Sequence, residues 1–402
     1  MMKYYSITTF SVFIVSPLLS LPLIIYGIYQ QYKSSALFYA LFIGLMAYLT
    51  APVSDLYRHT LDYFSFDYMS WRSFKTFLDK DFLIQSLSFF FCKHNIPYDY
   101  VRLILLIVQQ YIFVTLFFKL SDYRAYGKGK KEVFSRFVIW FLFSNFIVAT
   151  LGVRFPLATS FYVLGCYYFL QANKPLKAIA CFLLTVTIHF SMAYFIVALF
   201  ALYKIPFKRR SVVICLIILS FIISQIVIKR LEVFFIAQGA YGADYLGDGQ
   251  WGSGYKDVVS FKGLVYGYIM LCCSIPYYIY FYKTYDSQNK WCRWMAGALI
   301  MVAMFSSLET ISSRVRPLFA SLSMLYLLMM EAKGYVMSNR LKRLFLFFAI
   351  VAFLSNAYTN RTTIIHSRYL RIAEPVPLIL SDYYTKAWIF TNVDGDGTII
   401  NK

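Results

Sequence analysis

The sequence predicts an all-α, polytopic integral membrane protein with about 11–12 transmembrane helices and large outward-facing loops. Of its 402 residues, 60% are hydrophobic and only 14% are charged, and the mean hydropathy is +0.59. A soluble chain of this length needs more charged surface than that. Apolar runs of roughly 17–25 residues also recur along the whole chain, and this length is typical of helices that span a bilayer.

The apolar runs give the order of the membrane helices. They cover residues 7–29, 36–53, 98–118, 137–153, 156–171, 178–203, 212–228, 263–282, 292–308, 317–330 and 341–355. The first run lacks a small-residue cleavage site, so we expect a retained helix. It crosses once, with the N-terminus outside, or forms a hairpin broken at Pro17 and Pro22, with the N-terminus inside. The run 178–203 is long for one crossing and short for two, which predicts a re-entrant hairpin or two short tilted helices with His189 near the tip.

The distribution of charge predicts the orientation in the membrane. Six short connectors hold 20 of the 39 Lys and Arg residues against four acidic residues, whereas the rest of the chain holds 19 against 15. These connectors are 30–35, 119–136, 171–177, 203–211, 283–293 and 331–343. Basic connectors face the cytoplasm, so segments 54–97 and 229–262 and the tail 356–402 face outward from a single membrane domain, 1–402. This pattern accounts for the net charge of +20 without nucleic acid as a partner.

Several chemistries lack the residues they need. The seven cysteines contain no CxxC spacing, so neither a zinc site nor a disulfide framework is predicted. No HExxH, GxSxG, Walker or Rossmann motif occurs. The acidic run at Asp394 has the wrong spacing for an EF-hand and predicts a turn. We therefore expect neither a metal nor a cofactor.

Polar residues at the predicted outer helix ends are the candidate site. They are Asp55, Arg58, His59 and Asp62, then Arg154, then His189, and then Glu309, Arg314 and Arg316 in a tight turn closed by Pro317. The first four share one face if the segment is helical. Separate arginines on one side suggest an anion held by guanidinium forks, and a lipid-linked diphosphate lies at this depth. Simpler interpretations are an intrahelical set of ion pairs, an outer membrane anchor, and a histidine that only shapes a hairpin.

These residue types suit metal-free substitution at a sugar. The arginines would neutralise the leaving diphosphate, and a base would remove the proton of the acceptor hydroxyl. His189 is the first candidate base because neutral imidazole suits proton abstraction near neutral pH. Glu309 is the second, since nearby arginines make a carboxylate a weaker base. The loop 229–262, dense in Gly, Tyr and Trp, is either a flexible loop with interfacial anchors or a surface that faces sugars.

The stretch LGVRFPLATSFYVLGCYYFLQANKPLKAIACFLLTVTIHFSMAYFIVALF resembles the central block of the EpsG-like polysaccharide polymerases, a branch of the Wzy-type O-antigen polymerases. Arg154 opens a helix, Ala158 follows, 174–177 is a short basic turn, and His189 ends an apolar run. Phe190 departs from the small residue expected there. SDLYRHTLDY is also similar to the outer-loop acid and tyrosine of family members.

The resemblance implies a glycosyltransferase of the bacterial cytoplasmic membrane that polymerises undecaprenyl-diphosphate-linked repeat units on the outer face. Its partners would be the lipid-linked glycan donor and acceptor and membrane lipid, with a chain-length regulator protein as a further candidate. Three alternatives stay open: an O-antigen ligase, a flippase for the same lipid-linked units, and a structural or sensing membrane protein. A flippase is expected to place ionisable residues deep in several helices, whereas this chain concentrates its polar residues on one side.

Overall fold

The computed structural model describes residues 2–78, 81–122, 129–144, 146–205, 207–224, 226, 269, 272–304, 309–395 and 397–400. These residues form twenty α-helices and two short 3₁₀ helices, and within them no strand is found apart from one isolated bridge between Val393 and Ile399. The all-α prediction is confirmed for this part of the chain. The backbone groups of apolar segments are satisfied inside helices, as a bilayer requires.

The chain divides into two compact units. The first unit comprises Met1–Phe141, Asn145–Phe190 and Asn356–Lys402, and the second comprises Leu142–Ser144 and Ser191–Ser355. Helices α1 to α11 are Met2–Val15, Pro17–Tyr29, Lys33–Tyr48, Asp55–Ser65, Trp71–Phe77, Phe82–Lys93, Tyr98–Leu120, Lys130–Phe143, Phe146–Leu151, Arg154–Leu170 and Pro175–Ile188. Helices α12 to α20 are Met192–Lys204, Arg210–Ile223, Ile275–Thr284, Lys290–Met304, Glu309–Ala332, Asn339–Thr359, Arg361–His366, Val376–Ser381 and Lys386–Asn392.

Two helices of the described chain are long and apolar enough to cross a bilayer, namely α7 and α17. Eight shorter apolar helices accompany them: Tyr4–Val15, Pro17–Tyr29, Lys33–Tyr48, Phe82–Lys93, Pro175–Ile188, Met192–Lys204, Arg210–Ile223 and Leu318–Ala332. The predicted runs 98–118 and 341–355 coincide with the two long helices. This set is compatible with an all-α membrane protein, and the number of crossings stays a prediction.

The run 7–29 is a helical hairpin, so its interpretation as one crossing is wrong. Helix α1 ends before Ser16, whose hydroxyl caps α2, and Pro17 begins α2 because it lacks the N–H that would continue α1. The two helices pack together, with the Tyr5 hydroxyl donating to the Leu23 carbonyl at 3.1 Å. A Cβ at Gly27 would lie 1.8 Å from the Tyr5 hydroxyl, so this close approach requires glycine.

Two packed helix pairs form the core of the first unit. Helix α3 packs along α7, and α10 packs along α11, while α7 also contacts α10. The Phe182 ring fills the space beside Gly165, where a Cβ would lie 2.8 Å from the ring. The short helix α6 contacts both α7 and α11. The ends of α6, α10 and α11 therefore meet in one region.

A buried ion pair attaches the C-terminal tail to the rest of the first unit. Arg102 pairs with Asp99 on α7, and its guanidinium donates to the carbonyls of Thr50 at 2.8 Å and Tyr48 at 3.0 Å. The Asp99 carboxylate also accepts the backbone N–H of Tyr384 at 3.2 Å. The tail and segment 54–97 thus lie at the same end of α7, on one side of the helices.

The second unit is built around α15. This helix packs against α12, α13 and α16, and its Trp294 is almost completely buried. A Cβ at Gly297 would lie 3.1 Å from Leu202, so the glycine permits close approach of α12 and α15. The side chains of 305–317 lie outside the described part of the structure, although the backbone of 309–317 is helical.

Candidate functional site

Three polar side chains from distant parts of the sequence meet in the first unit. Asp81 immediately precedes α6, Arg154 is the first residue of α10, and His189 immediately follows α11. Arg154 and His189 were candidates from the sequence alone, and Asp81 joins them. We call Asp81, Arg154 and His189 the polar cluster.

The Asp81 carboxylate is the centre of the polar cluster. Its Oδ2 accepts a hydrogen bond from Nη1 of Arg154 at 2.9 Å and lies 3.3 Å from Nδ1 of His189. Its Oδ1 accepts the backbone N–H of Phe190 at 2.8 Å. One carboxylate therefore fixes a guanidinium, an imidazole and a backbone turn, and charge-assisted bonds of this kind are stronger than neutral ones.

The chain around His189 is shaped to point its ring at Asp81. Helix α11 ends because His189 has an extended backbone with φ −150° and ψ 102°. Thr185, one turn earlier, donates from its hydroxyl to the Cys181 carbonyl at 2.8 Å. The Phe155 ring stands edge-on to the imidazole with centroids 5.5 Å apart. The helix break predicted near His189 is confirmed, because α12 begins only at Met192.

Arg154 is more exposed than the other two side chains of the polar cluster, so it is the one that a ligand can reach. The side chains of Asp81 and His189 are 11% and 10% exposed, whereas the Arg154 side chain is 29% exposed. Within the described residues, Nη1 is the nitrogen of Arg154 that has a protein acceptor. Nη2 and Nε of a guanidinium held in this way are available to an anionic ligand.

The carboxyl group of Asp81 is ionised at neutral pH. Burial raises its pKa, but the hydrogen bond from His189 and the charges of His189 and Arg154 outweigh burial and hold the pKa below the ordinary value of 3.8. An ionised carboxylate has no proton to donate, so Nδ1 of His189 carries the proton in their hydrogen bond.

Helix α4 forms a second polar group, as the spacing of its residues predicts. Arg58 lies 4.0 Å from Asp55, and His59 lies between the carboxylates of Asp55 at 3.7 Å and Asp62 at 3.9 Å. Helix α4 contacts α6, which begins directly after Asp81, so this group lies in the same part of the first unit as the polar cluster. The distances fit intrahelical ion pairs, and a role in binding substrate stays a prediction.

The third predicted group has a different local structure from the one expected. Helix α16 already begins at Glu309 and runs through Pro317, so the tight turn predicted at 309–316 is wrong. A helix tolerates proline when its neighbours absorb the lost hydrogen bond, and an acidic residue suits a helix N-terminus. The side chains of Glu309, Arg314 and Arg316 lie outside the described structure, as does the loop 229–262, so their roles stay predictions.

Asp81 is a candidate site residue that the sequence alone does not single out. Two features pointed to such a residue: Arg154 and His189 stand alone in apolar sequence, and a buried cation requires a counter-charge. Asp81 also lies directly before α6. Among the described residues, no group of three or more His, Cys, Asp or Glu side chains is placed to hold a metal ion.

The fold and the polar cluster define an all-α protein of apolar helices with a buried Asp–His pair and a partly exposed arginine at adjoining helix ends. The EpsG family model matches residues 55–369, which include all three residues of the cluster. The chain belongs to the EpsG family, which places it among glycosyltransferase-type polymerases. Comparison with curated proteins and with solved structures gave no significant match.

Proposed function

We propose that this chain joins undecaprenyl-diphosphate-linked oligosaccharide repeat units on the outer face of the bacterial cytoplasmic membrane, with release of undecaprenyl diphosphate. The observation that carries this proposal is the polar cluster, in which one ionised carboxylate holds both a base and a cation. Family membership supports the polymerase class, and the apolar helices support a membrane location.

Arg154 binds the diphosphate of the donor. Its guanidinium is fixed through Nη1 by Asp81 and is exposed enough to receive phosphate oxygens at its other nitrogens. Because the group is held before the reaction begins, it stabilises the charge that develops on the leaving diphosphate without reorganising. Arg314 and Arg316 are candidates for further contacts to the same group, and Asp55, Arg58, His59 and Asp62 are candidates for contacts to the sugars.

His189 is the general base. Its Nε2 takes the proton from the acceptor hydroxyl while that oxygen attacks the anomeric carbon of the donor sugar. The bond between the anomeric carbon and the diphosphate oxygen breaks, and the electron pair leaves with the diphosphate. Asp81 accepts the hydrogen bond from Nδ1, which orients the ring, and it stabilises the imidazolium that forms. Glu309 is the second candidate for this role.

A reconstituted assay tests the proposal. The full chain in liposomes is given lipid-linked repeat units isolated from the source strain, and products are separated by size. A polymerase yields a ladder of lengths together with free undecaprenyl diphosphate. A ligase yields product only when a lipid A core acceptor is added, and a flippase exposes the substrate without forming a covalent bond. A wild-type chain that forms no ladder contradicts the proposal.

A further inference from the structure

The first unit contains a cavity of about 310 Å³ that the proposed reaction does not use. It lies between α4, the loop that leads into α7, and the C-terminal tail around α20. Its volume is at the lower end of the range of roughly 300–1,000 Å³ that is typical of ligand sites. A cavity of this size suits one or two sugar rings.

The floor of the cavity is aromatic and rigid. Tyr63, Tyr98 and Tyr384 line it and are 6%, 5% and 4% exposed. The rings of Tyr63 and Tyr98 have centroids 5.2 Å apart, and the Tyr63 hydroxyl donates to the Ile96 carbonyl. The Tyr384 hydroxyl donates to the Leu49 carbonyl at 3.0 Å. These bonds hold the floor in place without a ligand.

The mouth of the cavity is polar and carries both signs of charge. Asp67, Asn95 and Lys386 line it and are exposed. The Lys386 ammonium lies 5.7 Å from the Phe64 ring centroid and 5.4 Å from that of Tyr68, which positions it at the rim. Together these groups supply donors and acceptors with no excess charge.

This combination identifies the ligand class. A pyranose packs its C–H face on aromatic rings and turns its hydroxyls toward carboxylate, amide and ammonium groups. The balanced charges of Asp67 and Lys386 give no net attraction for an anion, and a lipid chain would leave these charged groups desolvated. Tyr98 lines the cavity and begins α7, which packs against α10, the helix that begins at Arg154 of the polar cluster.

We propose that this cavity binds an uncharged pyranose residue of the lipid-linked glycan next to its reacting end, an inference that rests on the proposed function. Asp67 and Lys386 bind hydroxyls, and the exposed ring of Tyr383 forms the stacking surface above the buried tyrosines. Tyr383, which also lines the cavity and is 42% exposed, supplies a ring at the rim.

Direct binding tests this proposal. The full chain in detergent is titrated with the oligosaccharide released by mild acid from the source strain's lipid-linked units, and binding is followed by saturation-transfer NMR. Tyr383→Ala, Asp67→Asn and Lys386→Ala are each expected to weaken binding about tenfold, as loss of one well-placed contact does. Because the three positions come from two segments, misfolding of one variant leaves the others informative.

The controls are residues of the same kind that do not line the cavity. Tyr358→Ala and Lys75→Ala, both exposed, should bind the oligosaccharide as the wild type does. Arg154→Lys should lose polymerisation and keep this binding, which separates failure of the cavity proposal from failure of the proposed function. Unchanged binding in all three cavity variants, or displacement of the oligosaccharide by inorganic pyrophosphate, overturns the cavity proposal.

Discussion

Arg154 combines a fixed position with partial exposure. Asp81 holds one nitrogen of its guanidinium, and the remaining donors face a region that solvent reaches. A lysine keeps the charge at this position but has a single ammonium group. It lacks the planar set of donors with which a guanidinium binds Asp81 on one side and a diphosphate on the other. Arg154→Lys should therefore reduce polymer formation about tenfold or more, nearly as much as Arg154→Ala.

The measurement for Arg154 is the amount and length of polymer made in a deletion strain that expresses each variant at equal levels. Arg72→Lys is the matched control, since Arg72 is exposed on α5 outside the polar cluster. Full chain length in Arg154→Lys would show that only the positive charge matters.

His189 is expected to carry the proton of the acceptor hydroxyl. Glutamine at this position can still hydrogen-bond to Asp81 but cannot take up a proton, so His189→Gln should be stable and inserted yet lose about 10²- to 10⁴-fold in rate. The rate is measured in the reconstituted assay with equal amounts of folded protein. His94→Gln is the control, because His94 is exposed and bonds to its own helix through Nδ1. A well-expressed His189→Gln chain that builds long polymer moves the role of base to Glu309.

Asp81 contributes stability through its charged form. Its pKa lies below 3.8 in the folded chain, so this contribution is present above about pH 4 and is lost as the pH falls through the folded pKa. Asp81→Asn should lower stability by about 2 kcal/mol, since hydrogen bonds to a charged group are lost. The gap in melting temperature between wild type and variant should not shrink between about pH 8 and pH 5 and should close below about pH 4.

Thermal unfolding in detergent at several pH values measures this gap for Asp81. Asp286→Asn is the control, because the Asp286 carboxylate accepts the Gln288 N–H at 2.9 Å outside the polar cluster. A gap for Asp81→Asn that closes already near pH 6 would show that the carboxyl group is not held in its ionised form.

At the scale of elements, the attachment of the tail depends on one buried ion pair. Asp99 and Arg102 on α7 are 5% and 1% exposed, and the tail reaches this pair through the N–H of Tyr384. Asp99→Asn leaves Arg102 buried without its counter-charge, which should cost about 3–5 kcal/mol. The variant should unfold at lower temperature, and protease should cleave its tail earlier. Arg361→Ala is the control, and equal cleavage of both variants would contradict this role for the pair.

A helix could be predicted from the sequence wherever a single local feature, such as the length of an apolar run, was enough to identify it. An apolar run of sufficient length identified α7, and a run of intermediate length with one histidine identified the break after α11. The hairpin of α1 and α2 stayed one of two possibilities, because Pro17 marks a helix start but tertiary packing decides the angle between the helices. The turn predicted at 309–316 failed because proline inside a helix is tolerated when the neighbouring residues continue it.

The polar cluster could be predicted only in part, and the reason is physical. Arg154 and His189 are visible because a charged or polar residue in an apolar run is costly and therefore rare. Asp81 lies in a charged segment, where one carboxylate resembles its neighbours, and its importance comes from contacts across 73 and 108 residues of sequence. Helix packing decides which residues so far apart in sequence come into contact. No local pattern in a single sequence shows this packing.

For the whole molecule, the charge of the connectors and the contacts of the tail lead to one orientation. The tail packs on the region that precedes α4, with the Ser54 N–H donating to the Gly397 carbonyl at 2.7 Å, so both lie on one side. The connectors around Lys130 and Arg340 are basic and should lie on the other side, in the cytoplasm. Because α1 and α2 form a hairpin, the N-terminus should also lie in the cytoplasm.

Reporter fusions test this orientation directly. Fusions after Lys130 and Arg340 should be active only with a cytoplasmic reporter, and fusions after Asn360 and Gly249 should be active only with an exported one. Gly249 lies outside the described residues. Asn360 belongs to the tail that packs on the rest of the first unit, so the fusion at Asn360 reports the side on which the polar cluster lies. Single substitutions of connector lysines serve as controls and should leave the orientation unchanged, because their effect is collective. A cytoplasmic result at Asn360 would place the cluster on the side away from the lipid-linked donor, and the proposed reaction would then have no substrate there.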